Sequence, residues 1–159
     1  MSQNYNIKDL TEKISAMNQM RNNVYHLIKF MQEKGLSDQD IKSRLKRMGR
    51  NIGKTMNIIF KFQKNNVEEI LKDIYKILLH SKVNIYKENN VLTVEDSNCA
   101  LCKYYRQDIN IPPDTIIPAM VAEIMSINGY KVIDSVVISS KSLGDTICVH
   151  KYEFVGGSI

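Results

Sequence analysis

Two glycines four residues apart lie inside a strongly helical stretch, Arg44-Leu45-Lys46-Arg47-Met48-Gly49-Arg50-Asn51-Ile52-Gly53. A glycine in a helix interior costs roughly 1 kcal/mol relative to alanine, because it has more backbone freedom to lose. The spacing puts both on one helical face, so something must approach that backbone closely. Either another helix or an elongated apolar ligand meets the requirement.

The rest of the chain gives this helix neighbours. Ile7, Leu10, Ile14, Met17, Val24, Ile28 and Met31 recur by three and four, with one gap at Met20 and Arg21. They predict a long first helix over residues 7 to 34, stopped by Gly35. Ser37 is a natural N-cap, and Asp38 and Asp40 complement the dipole of a second helix over 38 to 63. Its stripe is Ile41, Leu45, Met48, Ile52, Met56, Ile59 and Phe60. Its cationic face is Lys42, Arg44, Lys46, Arg47, Arg50 and Lys54, read first as solvated and second as a surface for anionic membrane or acidic partners. A third helix over 66 to 80 is apolar around most of its circumference and is expected to be buried on more than one side.

The pattern then changes. Val83 to Lys87 and Val91 to Val94 flank Glu88-Asn89-Asn90 as a hairpin, and Cys99 to Tyr105 reads as a candidate further strand. Ile111-Pro112-Pro113-Asp114 stops one element and starts a fourth helix over 114 to 128, closed by Asn128-Gly129. Two strands finish the chain, Val132 to Ser139 and Thr146 to Phe154, the second with plain alternation, around a turn at Ser142 to Asp145. The fold class is α+β: helices packed on one face of a small antiparallel sheet, behind a long N-terminal helix hairpin.

The 159 residues suit one domain, with residues 1 to 19 extending the first helix. A hydrophobic fraction of 43% and a charged fraction of 25% are ordinary for a globular protein. Neither a signal core nor a membrane span is legible, so a cytoplasmic protein, with at most peripheral membrane contact, is expected. The net charge of +5 is too modest to indicate nucleic acid.

With the elements in this order, the chain resembles a small core subunit of the TRAPP complex (transport protein particle, Bet-like family). More widely it is similar to the superfamily of 4-vinyl-reductase-like ligand-binding domains, which an archaeal member would also fit. Leu45-Lys46-Arg47-Met48-Gly49-Arg50-Asn51-Ile52-Gly53 matches the family's leucine, basic residue, methionine-glycine and asparagine-isoleucine-glycine run. Ile117 to Phe154 matches as a helix, Asn128-Gly129 and two terminal strands. The likeness covers about residues 20 to 155.

The resemblance implies a non-catalytic scaffold that homodimerises through its first two helices or joins sibling subunits. Such scaffolds support membrane tethering or activation of a small Rab-like GTPase. The expected interface is Leu45, Met48, Gly49, Ile52, Gly53 and Met56 against the stripe of helix one. The resemblance also implies an apolar channel, here expected from Ile59, Phe60, Ile74, Leu78, Ile117, Met120, Val121 and Ile124. The alternative function is that of the sensor relatives, binding a small hydrophobic molecule of fatty-acyl type. Several TRAPP subunits carry an acylated cysteine just before the third helix. Gln63-Lys64-Asn65-Asn66-Val67 has none, so a fatty acid or other lipid here would be non-covalent.

No phosphate loop, nucleophile elbow or catalytic carboxylate pair is present, and no enzyme is expected. Cys99-Ala100-Leu101-Cys102 has the spacing of a zinc knuckle, and Cys148 with His150 can close a four-ligand set. On a regular strand, however, Cys99 and Cys102 would point oppositely. Some sensor relatives hold zinc with cysteines and a glutamate near the final hairpin. Cys148 falls at one such position, but Ser140 and Val137 stand where another cysteine and the acid would be. No metal is therefore expected. His26 and His80 read as surface residues, Glu123 as pointing to water, and the methionines first as core filling.

Overall fold

The structure is a computed structural model that describes residues 7–62 and 66–156, with side chains from residue 16 onward. The helices are α1 (Ile7–Glu33), α2 (Asp38–Phe60), α3 (Val67–Leu78) and α4 (Ile116–Ile127). The strands are β1 (Val83–Glu88), β2 (Val91–Asp96), β3 (Val132–Ser139) and β4 (Cys148–Phe154). They form one antiparallel sheet in the order β1-β2-β4-β3.

The helix ends follow local chemistry. α1 stops at Gly35, whose φ of 76° lets Leu36 N donate back to Met31 O at 3.1 Å. Ser37 caps α2 by accepting from Asp40 N at 3.1 Å. α2 ends at Phe60, earlier than the periodicity predicts, with Lys61 in the left-handed region at φ 45°. Asn66 caps α3 through Glu68 N at 2.8 Å. α4 closes at Gly129, φ 92°, where Tyr130 N donates to Met125 O at 3.0 Å.

α4 is the central element. Its residues Ile116, Ile117, Ala119, Met120, Val121, Ile124 and Met125 are all buried, because it lies between α2 on one side and the sheet on the other. The buried face of α2 is Ile41, Leu45, Gly49 and Gly53, a run of i, i+4 positions that includes both glycines. A β-carbon on Gly49 would collide with Ile116 O and stand 3.0 Å from Ala119 Cβ. One on Gly53 would stand 2.6 Å from Met120 O and 3.0 Å from Glu123 Cβ. Positions rise together along both helices, so α2 and α4 run side by side in the same direction. Asn128 Nδ2 donates to Asn57 Oδ1 at 2.7 Å at the far end of the seam.

This corrects one expectation. Gly49 and Gly53 do not offer their backbone to a second copy; α4 of the same chain occupies that face. The segment from Cys99 to Tyr105 is also not a strand but an irregular turn-rich stretch. It is tied to α1, where Arg21 Nε donates to Ala100 O at 3.0 Å. Farther on, Tyr25 Oη and Lys29 Nζ reach Asp108 Oδ2 at 2.6 and 2.9 Å. Those two hydrogen bonds, Tyr25 first, hold the Asp108 carboxyl down at about 2.

Gly49→Ala tests the seam. In an open helix this change adds stability. Here the methyl group meets the α4 backbone, and the expected result is a loss of about 1–3 kcal/mol in urea unfolding. Gly53→Leu, with a larger side chain at an equally closed point, should lose more. Asn51→Ala, on the exposed face of α2, should change stability by less than about 0.5 kcal/mol. Unchanged unfolding of Gly49→Ala would rule out the close approach.

Candidate functional site

Two features adjoin one another: an apolar cavity and a buried polar cluster. The cavity, about 420 Å³, is walled by α2, the middle of α1, the end of α3, the start of α4 and the loop residues Ala100 and Leu101. Of the channel residues expected from sequence, Ile59, Phe60, Leu78, Ile117 and Met120 border it. Ile74, Val121 and Ile124 do not; all three are fully buried in the solid core. Met17, Met20, Ile52, Met56 and His80 are also part of the wall. The methionines do both: Met31, Met120 and Met125 are buried in the core with Met17, Met48 and Met56 packed against it, and Met17, Met20, Met56 and Met120 also border this cavity.

A second groove, about 610 Å³, runs between α1 and α2. Leu45, Met48, Ile52 and Met56, four of the six expected interface residues, face it together with Leu27 and Met31 from α1. Gly49 and Gly53 turn away from it. Leu27 and Phe30 on α1 remain exposed. His26 is exposed, as expected. Glu123 is half-buried beside Gly53, with Oε1 3.9 Å from Lys54 Nζ.

The polar cluster grows from β4. Its alternation buries Cys148, His150, Tyr152 and Phe154 on one face. Cys99 and Cys102 reach Cys148 because the chain between them turns, Cys102 N lying 3.4 Å from Cys99 O. The strand objection to their converging therefore falls. Asp114, in the short turn Pro113–Thr115 that opens α4, is the fourth member. One ligand-type atom from each of Cys99, Cys102, Asp114 and Cys148 lies within 4.8 Å of the others, and all four residues are buried.

His150, proposed from sequence as a ligand, has both ring nitrogens engaged elsewhere. Nε2 is 3.0 Å from Asp114 Oδ2, and Nδ1 is 2.6 Å from Tyr75 Oη, which is 2.7 Å from Tyr152 Oη. A consistent proton order runs from the Tyr152 hydroxyl to Tyr75, from Tyr75 to Nδ1, and from Nε2–H to the Asp114 carboxylate. Ser140 Oγ donates to Asp114 Oδ1 at 2.9 Å and lies 3.3 Å from Cys102 Sγ.

Burial pushes the Asp114 carboxyl up to about 6, against the opposing hydrogen bond from His150. Hydrogen bonds from Cys102 and then Cys99 draw the Cys148 thiol down to about 5, while both donor thiols are raised. Asp114 was not singled out from sequence. Its place after two prolines marks a helix start, and only the fold brings it to the cysteines.

No family profile and no curated protein sequence matches the chain. Solved structures do. A trafficking protein particle complex subunit 3 from Naegleria fowleri, covalently bound to palmitic acid, superposes with a TM-score of 0.71 at 12% identity, covering 90% of this chain and 96% of its own. A vinyl-4-reductase family protein from Methanocaldococcus jannaschii superposes with a TM-score of 0.51 at 20% identity, covering 98% and 99%. Both families named from the sequence are thus structural neighbours, and the chain has the α+β fold of a TRAPP subunit.

Proposed function

We propose that this protein is a non-catalytic binding module that holds an elongated apolar molecule of fatty-acyl type, non-covalently, in the cavity between α2, α3 and α4. The observation that carries the reading is the cavity itself. Its volume of about 420 Å³ falls within the range of small-molecule sites, roughly 300–1,000 Å³. Its wall is methionine, isoleucine, leucine and phenylalanine, with His80 at the edge to meet a polar end. The palmitate carried by the Naegleria subunit supports the same ligand class. Residues 63–65, just before α3, lie outside the described residues. The sequence holds no cysteine there, and its three cysteines stand at 99, 102 and 148, so attachment before α3 is excluded.

The α1–α2 groove favours a second, compatible role as a scaffold subunit. Exposed Leu27 and Phe30 beside half-buried Met48, Ile52 and Met56 make an apolar strip suited to a second copy or a sibling subunit. In that role the assembly supports membrane tethering or a small Rab-like GTPase. The exposed Lys42, Arg44, Arg47, Arg50 and Lys54 then offer a face to anionic lipid. No described helix is long and apolar enough to cross a membrane.

Native mass spectrometry of freshly purified protein should find a fatty acid or similar lipid, and delipidated protein should bind hexadecanoate. Met56→Trp, which fills the cavity from a half-buried position, should weaken that binding at least about tenfold, or ~1.4 kcal/mol. Bare polypeptide that ignores added hexadecanoate would sink the ligand reading. For the scaffold reading, light scattering should show a dimer that Leu27→Asp with Phe30→Asp converts to a monomer. A monomeric parent protein that captures no subunit of the same fold from host lysate would exclude it.

A further inference from the structure

We infer that Cys99, Cys102, Cys148 and Asp114 form a closed, four-coordinate site for a thiophilic divalent cation of the zinc class, and that this ion fixes one wall of the apolar cavity. Two of the donors come from the turn after β2, one from the head of α4 and one from β4. Cys148 stands at a position where some sensor relatives hold zinc; Ser140 and Val137 supply no ligand at two others, and here Cys99 and Cys102 converge from a different loop, with His150 behind the set and outside the donors.

The donor geometry carries the inference. Tetrahedral zinc with thiolate bonds of about 2.3 Å separates its sulfurs by about 3.8 Å. The four donor atoms already lie within 4.8 Å of one another, so a small inward movement completes the polyhedron. Three soft sulfurs with one carboxylate oxygen select zinc over magnesium or calcium. All four positions come from protein, which is the arrangement of a structural rather than a catalytic zinc.

The surroundings are those of a supported metal site. Asp114 is held by Ser140 Oγ at one oxygen and by His150 Nε2 at the other. His150 is itself fixed by Tyr75 and Tyr152, and Lys141 N points at Cys148 Sγ at 3.4 Å. Such outer hydrogen bonds orient ligands and raise their basicity. Asp96 lies beside the cluster without joining its donors. It pairs directly with Cys148 in the β2–β4 register, is buried, and leaves Oδ2 without a hydrogen-bond partner. Buried acids and thiols gathered at one point call for a cation, and none of the described lysines or arginines reaches them.

The link to the cavity is covalent. Ala100 and Leu101, the residues between Cys99 and Cys102, line it. This second half of the inference rests on the ligand reading above; the metal site does not.

The test uses the full chain, tag-free and delipidated, grown with zinc and passed over chelating resin. Elemental analysis should find about one zinc per chain. Replacement by Co²⁺ should give thiolate-to-cobalt charge-transfer absorption and the intense visible bands of a tetrahedral site. Cys102→Ser and Asp114→Asn should each lower zinc retention at least tenfold; should either fail to fold, the cobalt spectrum of the parent chain decides. Removal of the ion should expose three titratable thiols, lower the melting temperature and weaken hexadecanoate binding. Zinc below about 0.2 per chain with no cobalt–thiolate band, or a Cys99–Cys102 disulfide in protein kept under nitrogen, would overturn the site. Full zinc occupancy with hexadecanoate binding unchanged by its removal would overturn the coupling alone. Metal without any lipid binding would leave the site standing and remove the ligand reading.

Discussion

The backbone of α2 lies almost directly on the backbone of α4, and that contact places everything else. Two helices approach this closely only where side chains are absent from the seam. Gly49 and Gly53 provide the gap, and Ile116, Ala119, Met120 and Glu123 fill it. The glycines weaken α2 as a helix but allow α4 to be covered on both sides, by α2 and by the sheet. A helix as apolar as α4 has no stable place at a surface. The seam is thus the condition for burying Ile117, Val121, Ile124 and Met125 at once.

The cavity follows from the same seam. Residues on α2 that flank the glycine face, Ile52, Met56, Ile59 and Phe60, border the space together with Ile116, Ile117 and Met120 at the start of α4, and α1 and α3 close it without filling it. The other flank of α2, from Leu45 to Met56, faces α1 across the second groove. Ile52 and Met56 border both spaces. Occupation of the cavity and pairing across the α1–α2 surface therefore share side chains. A ligand that reorders these two residues reaches the surface on which a second subunit would sit.

Much of this was legible from local chemistry. The cap at Ser37, the stops at Gly35 and Gly129 and the β1–β2 hairpin all follow from neighbours a few residues away. The alternation of β4 sets Cys148, His150, Tyr152 and Phe154 on one face, and the fold shows that this is the face that is buried. Long-range identity was not legible. An i, i+4 glycine pair announces a close approach but not the element that makes it, so a second copy and α4 were indistinguishable. Cys99 to Tyr105 has enough apolar and aromatic residues to suggest a strand, yet its course is set by contacts far along the chain, Arg21 to Ala100 and Tyr25 to Asp108. Asp114 carries no spacing signal toward Cys99, Cys102 or Cys148. Only the sheet register and the start of α4 bring them together.

The inward face of β4 shows where packing yields to chemistry. Phe154 at one end belongs to an ordinary core, while Tyr152 and His150 enter a buried hydrogen-bond chain and Cys148 at the other end meets a carboxylate and two more thiols. A sheet built for stability alone would carry aliphatic residues there, since buried polar groups contribute little unless every partner is in place. Most partners are in place: Tyr152, Tyr75, His150, Asp114 and Ser140 form an unbroken chain of hydrogen bonds. Departures from local consistency concentrate where a protein has a task. Here they concentrate behind Ala100 and Leu101, at the wall of the cavity. Ala100 and Leu101, set between two of the buried cysteines, join the polar end of the core to the space that the glycine seam leaves open.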